Sequence, residues 1–341
     1  MRFIKPALFA LALLGLLPMR PSAPLAAEPY KLRIGWVVAG ADLATMMFAK
    51  PGLAVHAGKS YTPELIHFEG TSTAMQALAT GELDTAALAY STVALGIVNA
   101  GMSDLRVIAD GFQDGVTGYH SNTYVVRDDS PVRSVPDLKG KVIATNQRGS
   151  AVDMAVRAML AKHDMQDKRD VTMIEVRFPD QKAMLKEGKV DLITAVVPFG
   201  FDPELRAFSR TLFTQADAIG RSQMIVRVAR EPFLKAQRTA MVDFMEDYLR
   251  ALRFFLDPAN HAEAVALLAQ VTKRKAETFD EWAFTKKDYY RDAVAIPDLD
   301  ALQANVDLQH KLGFVRSAVD IKKHADLSIA KEAAQRLGVG Q

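Results

Sequence analysis

Hydroxyl-bearing turns that lead into helices are the residues of this sequence best suited to chemistry. Thr71 and Ser72 follow a glycine and precede an apolar pattern with helical spacing, and Tyr90, Ser91 and Thr92 open a second such run. Free backbone N–H groups and the positive end of the helix dipole favour an anion there. Each turn taken alone is better explained as an ordinary N-cap. Their repetition favours a binding site.

A third polar turn, residues 146–150, contains the best candidate for a cationic ligand partner. Arg148 precedes Gly149 and Ser150, and its guanidinium together with the Ser150 amide could hold a carboxylate or sulfonate through charge-assisted hydrogen bonds. Asn146 begins the turn. The alternative for Arg148 is a solvated side chain in a loop. Ser150 followed three residues later by Asp153 also resembles a capping box.

Three aromatic residues and a small-residue turn complete the set of candidate ligand contacts. Tyr90 offers a stacking face and a donor, Phe199 could form an apolar wall, and Trp36 either stacks on a ligand or belongs to the core. Gly40 lies in the turn after the first strand. Asp42, in the same turn, could accept from an amine, which would favour a zwitterion such as taurine.

Several kinds of chemistry find no support in the sequence. The chain has no cysteine, which excludes disulfides, thiolate nucleophiles, cysteine-ligated metals and a lipoprotein anchor. Its seven histidines are scattered without a metal-binding spacing, and it contains no P-loop, dinucleotide fingerprint or nucleophile elbow. We therefore predict no catalytic residue, no cofactor and no metal, although an enzyme built from scattered residues stays open.

The charge of the chain is balanced once its N-terminus is set aside. The full 341 residues carry a formal charge of +2, but the first 27 hold three basic residues and no acid, leaving 39 basic against 40 acidic residues. A net charge of −1 without basic runs argues against a nucleic-acid partner held through phosphates. The composition, 49% hydrophobic and 24% charged, is typical of a globular protein long enough for two cores.

Residues 1–27 have the pattern of a cleavable signal peptide. Arg2 and Lys5 precede an apolar stretch too short to cross a bilayer comfortably, and a Pro-containing, small-residue segment follows. Cleavage after Ala27 would begin the mature chain at Glu28. An uncleaved anchor helix is the alternative.

Strand and helix patterns alternate along the mature chain, which predicts mainly parallel sheets with ligands at the carboxyl ends of the strands. Two such α/β units are followed by helix-rich sequence, which we interpret as scaffold. The predicted strands cover residues 31–38, 65–68, 83–89, 105–109, 171–177, 190–197 and 224–228. The predicted helices include residues 43–50, 181–187, 238–256, 261–270, 275–290 and 299–312, and Gly81 is predicted to end the helix that starts near Thr71.

The ordered set of these segments resembles the periplasmic solute-binding proteins of ABC importers, in particular the sulfonate, nitrate, taurine and thiamine-pyrimidine-precursor branch. The resemblance spans the whole mature chain and is carried by Leu32-Arg-Ile-Gly, Ala77-Leu-Ala-Thr-Gly-Glu-Leu-Asp84, the segments 130–141 and 186–191, and the segments near 299–307 and 313–315. The run Val-Val-Pro-Phe-Gly-Phe-Asp202-Pro203 departs from the tryptophan and Asp-Pro that the family often shows there. Residues 50–61 also match poorly.

The resemblance implies a two-lobed, type II periplasmic-binding-protein fold, with a mainly parallel sheet in each lobe and C-terminal helices packed on lobe one. The expected boundaries are 1–27 for the signal peptide, 28–121 for lobe one, 122–222 for lobe two and 223–341 for the return to lobe one, with crossovers near 121–126 and 222–227. The ligand would lie between the lobes. Its expected contacts are Trp36, Gly40, Asp42, Thr71, Ser72, Tyr90, Ser91, Thr92, Asn146, Arg148, Gly149, Ser150 and Phe199.

The implied function is a non-enzymatic, monomeric periplasmic receptor that delivers a small organic anion, of sulfonate or carboxylate type, to an ABC permease in the inner membrane. Two alternatives remain. One is an enzyme on the same fold, of the pyrimidine-precursor synthase type, although such enzymes carry a Cys-rich motif and this chain has no cysteine. The other is an exported sensor domain that presents its ligand to a membrane kinase.

Overall fold

The computed structural model describes residues 28–340, so the predicted signal peptide lies outside the described part of the chain. Ten strands and eleven α-helices form within these residues. The strands are β1 Tyr30–Trp36, β2 Tyr61–His67, β3 Thr85–Ala89, β4 Leu105–Asp114, β5 Thr123–Arg127, β6 Val142–Thr145, β7 Thr172–Glu175, β8 Ile193–Ala195, β9 Ser209–Thr214 and β10 Ser222–Arg230.

The helices alternate with the strands at first and then dominate the C-terminal third. They are α1 Thr71–Thr80, α2 Tyr90–Val98, α3 Ala151–Ala161, α4 Phe178–Lys186, α5 Pro203–Phe208, α6 Gln215–Ile219, α7 Glu231–Ala236, α8 Arg238–Leu256, α9 His261–Thr272, α10 Leu299–Lys311 and α11 Ser328–Arg336. Within residues 28–340, no helix combines the length and the apolar character needed to cross a membrane.

Lobe one is built around a five-stranded sheet in the order β2-β1-β3-β10-β4. The strands β2, β1 and β3 are parallel, whereas β10 is antiparallel to both of its neighbours. Every residue of β3 is buried, as expected for a central strand covered on both faces. The C-terminal helices pack on this lobe: α10 contacts β10 and α2, and α11 contacts α8 and β4.

Lobe two repeats this arrangement. Its sheet has the order β8-β5-β9, and the parallel pair of β6 and β7 joins it through a bridge between Ile143 and Leu192. Here β5 is antiparallel to β8 and β9. Each lobe therefore has one antiparallel strand, and in each case it is the strand by which the chain enters from the other lobe. The predicted mainly parallel α/β fold is confirmed.

Two predicted helices are wrong. In the predicted helix 43–50 only Leu43–Thr45 forms a short 3-10 turn, because Asp42 caps Ala44 and the chain then turns ahead of Pro51. In the predicted helix 275–290 a 3-10 turn, Ala276–Thr278, is followed by irregular chain. There the Asp288 carboxylate accepts from the Phe284 backbone N–H, so a side chain takes the place of the helical carbonyl.

The helix ends follow the sequence more closely. Gly81 has φ of 79° and ends α1 in the left-handed conformation, as predicted. The Ser150 hydroxyl caps α3 by accepting from the Asp153 N–H. Neither α1 nor α2 has a side-chain cap: their N-cap residues are Gly70 and Ala89, and the hydroxyl residues occupy the first helical positions instead.

Candidate functional site

An apolar cavity lies between the lobes, at the carboxyl ends of the strands β1, β3, β6 and β8. It encloses about 590 Å³ of empty space when its open mouth is counted, of which about 80 Å³ is open to the centre of a water-sized sphere. Its polar lining residues are Asp42, Thr71, Asn146, Ser150 and Tyr289. Its apolar lining residues are Val37, Val38, Ala41, Ala87, Ala89, Phe112, Ala151, Val152, Phe178, Val196, Val197, Met224 and Ile225.

Two helix N-termini meet at this cavity, one from each lobe. In α1 the first helical hydrogen bond runs from Ala74 N to Gly70 O, so the N–H groups before Ala74 have no intrahelical partner. In α3 the first such bond runs from Met154 N to Ser150 O. Thr71 and Ala151, the first residues of the two helices, both line the cavity. Free N–H groups and two dipole ends of the same sign therefore favour an anionic group in the cavity.

The hydroxyl of Thr71 adds a donor to this region. Its Oγ1 atom is buried and has no hydrogen-bond partner within the described chain. Since an unpaired buried hydroxyl costs free energy, a ligand oxygen that accepts from it would remove that penalty.

Asp42 is the charged residue of the cavity wall, and its charge is balanced by Arg227, which does not line the cavity. Arg227 Nη2 donates to both Asp42 oxygens, at 2.7 and 2.9 Å, and the two side chains are 2% and 7% exposed. The Asp42 carboxylate also accepts from the Ala44 N–H at 3.0 Å. Among the residues of 28–340 that line the cavity, none is Arg, Lys or His. An anion in this cavity would therefore be held by amides and hydroxyls.

The predicted contacts of lobe one divide into lining and supporting residues. Asp42 and Thr71 line the cavity, whereas Trp36 and Gly40 do not. The Trp36 ring packs on His67, with a centroid distance of 4.5 Å. Gly40 has φ of 83°, and a Cβ there would lie 2.3 Å from Leu268, so the turn requires glycine for both its conformation and its packing.

The Tyr90, Ser91 and Thr92 turn is buried and does not line the cavity. The Tyr90 hydroxyl donates to the Ala151 carbonyl of lobe two at 3.2 Å, and Thr92 donates to the Ala89 carbonyl. Burial, with the nearby charges of Asp114 and Asp153, raises the pKa of Tyr90, so the phenol stays protonated and remains a donor. This turn joins the lobes behind the cavity.

The polar turn of lobe two, residues 146–150, also contains both lining and supporting residues. Asn146 and Ser150 line the cavity and are joined by a hydrogen bond from Ser150 Oγ to Asn146 Oδ1 at 2.7 Å. The Arg148 side chain is exposed and is not part of the lining; its backbone N–H donates to Glu175 and its carbonyl accepts from Ser72 Oγ. Gly149, with φ of 77°, allows this tight turn.

The apolar wall of lobe two is formed by Phe178, and Phe199 lies behind it. The two rings stack with a centroid distance of 6.1 Å, and the Arg274 guanidinium lies 5.2 Å from the Phe199 ring centre. Phe199 is absent from the cavity lining in the described chain. Phe178 begins α4, a position that the sequence pattern did not mark.

An aromatic pair on the lobe-one side was missed by the sequence analysis. Phe112 of β4 and Tyr289 stack with centroids 4.2 Å apart, and both line the cavity. The Tyr289 hydroxyl accepts from the Val197 N–H at 3.2 Å and donates to Asn122 Oδ1, so it holds elements of both lobes. Tyr289 belongs to the C-terminal third that we interpreted as scaffold. Its spacing in the sequence carries no signal for a cavity position.

Comparisons with known proteins agree with this architecture. A match to the NMT1-like family covers residues 25–269, and no curated relative matches the sequence. The alkanesulfonate-binding protein SsuA from Xanthomonas axonopodis pv. citri, bound to MOPS, aligns over 88% of this chain and 99% of its own, with 21% identity and a TM-score of 0.69. The periplasmic nitrate-binding protein NrtA from Synechocystis PCC 6803 aligns over 92% and 90%, with 15% identity and a TM-score of 0.70.

The same fold also occurs in an enzyme. The desulfurization enzyme DszB aligns over 90% of this chain and 99% of its own, with 15% identity and a TM-score of 0.62. At these identities the structural similarities establish the fold, which confirms the type II binding-protein architecture expected from the sequence. Because the family match extends over most of its length, the chain belongs to the NMT1-like family.

Proposed function

We propose that the protein is a non-enzymatic receptor that captures a small organic anion with an apolar body and delivers it to an ABC permease in the inner membrane. The observation that carries this proposal is the meeting of the α1 and α3 N-termini at an apolar cavity between the lobes. Two of the structural neighbours, SsuA and NrtA, are named as a sulfonate-binding and a nitrate-binding protein, which supports an anionic ligand.

The lining favours an organic anion over an inorganic one. Thirteen of its eighteen residues are apolar, and the stacked Phe112 and Tyr289 rings offer an aromatic surface. A nitrate ion would leave most of this surface unused. A sulfonate or carboxylate with an alkyl or aromatic body would place its acid at the helix N-termini and bury its body against the apolar wall. Because the Asp42 carboxylate would repel the acid, we expect that group to lie on the Thr71 and Ala151 side.

Contacts between the lobes support a hinged cleft that closes around the ligand. Arg177 Nε lies 3.1 Å from Glu69 Oε2 across the cleft, and Ser72 donates to the Arg148 carbonyl at 3.2 Å. We propose lobe boundaries at 121/122 and 222/223, with residues 223–341 returning to lobe one. Closure would then require these contacts to form, and ligand release would require them to break.

The proposal includes export and a monomeric state. Residues 1–27 would act as a cleavable signal peptide, and the mature chain would be periplasmic and would not be a lipoprotein, since it has no cysteine to acylate. Of the thirteen residues expected from the sequence to contact the ligand, we propose that four contact it directly: Asp42, Thr71, Asn146 and Ser150. The other nine would support these contacts or take part in closure of the cleft.

A ligand screen tests this function. Residues 28–341 would be unfolded and refolded to remove carried-over ligand and then heated with alkyl and aromatic sulfonates, carboxylates, taurine, nitrate and pyrimidines. A ligand at about 100 times its Kd stabilises the folded chain by about 2.7 kcal/mol, which raises Tm by a few degrees. Recovery of the ligand unchanged, shown by NMR, separates a receptor from an enzyme of the DszB type.

Two variants locate the acid group. Thr71→Val removes the unpaired hydroxyl but keeps the shape, and we expect it to weaken binding about tenfold, the loss of one hydrogen bond to a charged group. Arg148→Ala removes a side chain that lies outside the cavity lining and serves as the matched control. If Arg148→Ala abolishes binding while Thr71→Val leaves it intact, the anion lies at the polar turn and the cavity assignment fails.

A further inference from the structure

Within residues 28–340, one cluster of potential metal ligands lies outside the cavity lining. His56 belongs to the segment 50–61, the stretch that matches the family pattern poorly, and Asp243 and Glu246 lie three positions apart on α8, so their side chains share one helix face. One ligand atom from each of the three residues lies within 4.8 Å of the other two. His56 and Glu246 therefore lie close together although nearly two hundred residues separate them in the sequence.

One of the ligand spacings is that of a zinc site: His56 Nε2 lies 3.2 Å from Glu246 Oε1. Asp243 Oδ2 lies 3.9 Å from the other ring nitrogen, Nδ1, and from a single nitrogen an oxygen of each carboxylate lies within 4.8 Å, so zinc would draw these ligands closer together. In a tetrahedral site with metal–ligand bonds of about 2.0–2.2 Å, neighbouring ligand atoms are about 3.3 Å apart. Although it is so close to a carboxylate oxygen, the buried Nε2 atom makes no hydrogen bond of acceptable geometry. In the tautomer that carries its proton on Nδ1, the Nε2 lone pair is therefore left for another partner.

Two arginines hold the carboxylates of the cluster in place. Arg336 Nη1 donates to Asp243 Oδ1 at 2.8 Å, and Arg250 Nη2 donates to Glu246 Oε1 at 2.9 Å. The Asp243 oxygen that faces His56 is the other one, Oδ2, whereas the Glu246 oxygen that faces His56 is Oε1, the same oxygen that accepts from Arg250. Such outer contacts fix the direction of metal-ligating carboxylates. The two side chains are only 10% and 12% exposed, so they are held within the structure.

A third carboxylate fixes the loop and sets the charge balance. Asp247 accepts from the backbone N–H groups of Val55 and His56, and from the Tyr61 hydroxyl at 2.8 Å. These three bonds hold the backbone at His56 against α8. With the imidazole neutral, three carboxylates face two guanidinium groups, which leaves a net charge of −1 that a divalent cation reverses to +1.

We propose that His56, Asp243 and Glu246 bind a zinc ion that fastens the 50–61 segment to α8. A set of one imidazole and two carboxylates suits zinc, whereas magnesium and calcium prefer oxygen ligands alone. Three protein ligands leave the fourth tetrahedral position for water. The site is independent of the proposed ligand cavity, and its occupancy would stabilise lobe one without touching the residues that bind the organic anion.

Zinc binding to the EDTA-treated mature chain tests the proposal. Titration with ZnCl2 against a chromophoric chelator should show one zinc per chain, and MgCl2 at the same concentration should leave Tm unchanged while ZnCl2 raises it. His56→Gln removes the nitrogen ligand and Glu246→Gln removes a carboxylate, and each should weaken zinc binding at least tenfold. His163→Gln, a change at an exposed histidine of lobe two, is the matched control and should bind as the unaltered chain does.

The zinc titrations of the unaltered chain and its variants decide whether the cluster binds zinc. Loss of zinc in both cluster variants, with circular dichroism showing both folded and with His163→Gln unaffected, supports the site. If His56→Gln fails to fold, the Glu246→Gln titration decides alone. An absence of zinc uptake by the unaltered chain, or uptake that is equal in Glu246→Gln and in the unaltered chain, overturns the proposal.

Discussion

Replacement of Arg227 by methionine should destabilise lobe one strongly, because it leaves a buried carboxylate without its counter-charge. Arg227 lies on β10 and donates to both Asp42 oxygens, and its guanidinium carbon is 5.5 Å from the centre of the Phe244 ring and 5.7 Å from that of Tyr248. Methionine keeps the packing of the aliphatic stem but removes the charge. What changes is therefore chiefly the environment of Asp42.

The size of the effect follows from the burial of the pair. Breaking a buried ion pair by removing one partner typically costs about 3–5 kcal/mol, since the remaining charge stays desolvated. Asp42 keeps its hydrogen bond from Ala44 and borders the cavity, so some compensation remains. We expect the lower end, about 3 kcal/mol, for Arg227→Met. In the double variant Arg227→Met, Asp42→Asn the unpaired charge is removed. Its free energy of unfolding should therefore be at least about 1.5 kcal/mol higher than that of Arg227→Met alone.

Urea unfolding followed by tryptophan fluorescence measures both numbers, since Trp36 ends the strand that leads to Asp42. Arg238→Met is the matched control: its pair with Glu332 is 44% and 34% exposed and should be worth less than about 1 kcal/mol. The reasoning is refuted if the double variant is as unstable as Arg227→Met alone. In that case the loss would come from packing against the two rings and not from the charge of Asp42.

Three further predictions follow from buried or bridging groups. Burial raises the pKa of Asp114 to about 7, so its folded form binds a proton that the unfolded form has lost, and this contribution to stability fades as pH rises from about 4 to 7. Asp114→Asn should remove this share, up to about 4 kcal/mol, from the pH dependence of urea unfolding, while Asp110, whose pKa burial also raises to about 7, keeps its own share. Tyr289→Phe leaves the Val197 N–H and the Asn122 Oδ1 atom without the hydroxyl that pairs with both, and should cost about 1–3 kcal/mol by the same assay. Arg177→Ala removes an exposed ion pair across the cleft, so the rate of ligand release measured by stopped flow should rise by no more than about fivefold. A larger rise would contradict the expectation that this exposed pair contributes little.

The alternation of strands and helices was predictable because that information is local, whereas the two-lobed arrangement was expected only from the family resemblance. The helix α8 was predicted with its observed bounds from the stripe of Met241, Met245 and Leu252, and Gly81 ends α1 because only its backbone conformation fits there. The predicted helix over residues 275–290 is interrupted where Phe284 adopts φ of 59° and its N–H donates to the Asp288 side chain instead of to a helical carbonyl. Propensity carries no information about such a competition.

The candidate site was predictable only where a residue's local position also fixed its place in the cavity. Thr71 is the first residue of α1 and Ser150 is the N-cap of α3, each a few residues after the carboxyl end of a strand, and for that reason both reach the cavity. Arg148 had the right chemistry, but the turn directs its backbone and not its side chain towards lobe one. Tyr289 and Met224 reach the cavity through long-range packing, for which the sequence offers no spacing rule.

The position of β10 between β3 and β4 has a consequence for the order in which the chain can fold. Both neighbours of β10 leave the ribosome more than a hundred residues before it does, so the first sheet has an open gap during most of synthesis. Pairing across such a distance is slow because a long loop must close first. Until then β3, which is apolar at nearly every position, has an unpaired edge of the kind that draws in other chains. A chain that has not yet closed this gap should therefore tend to associate with other chains, whereas the sheet of lobe two, whose strands all precede β10, can close earlier.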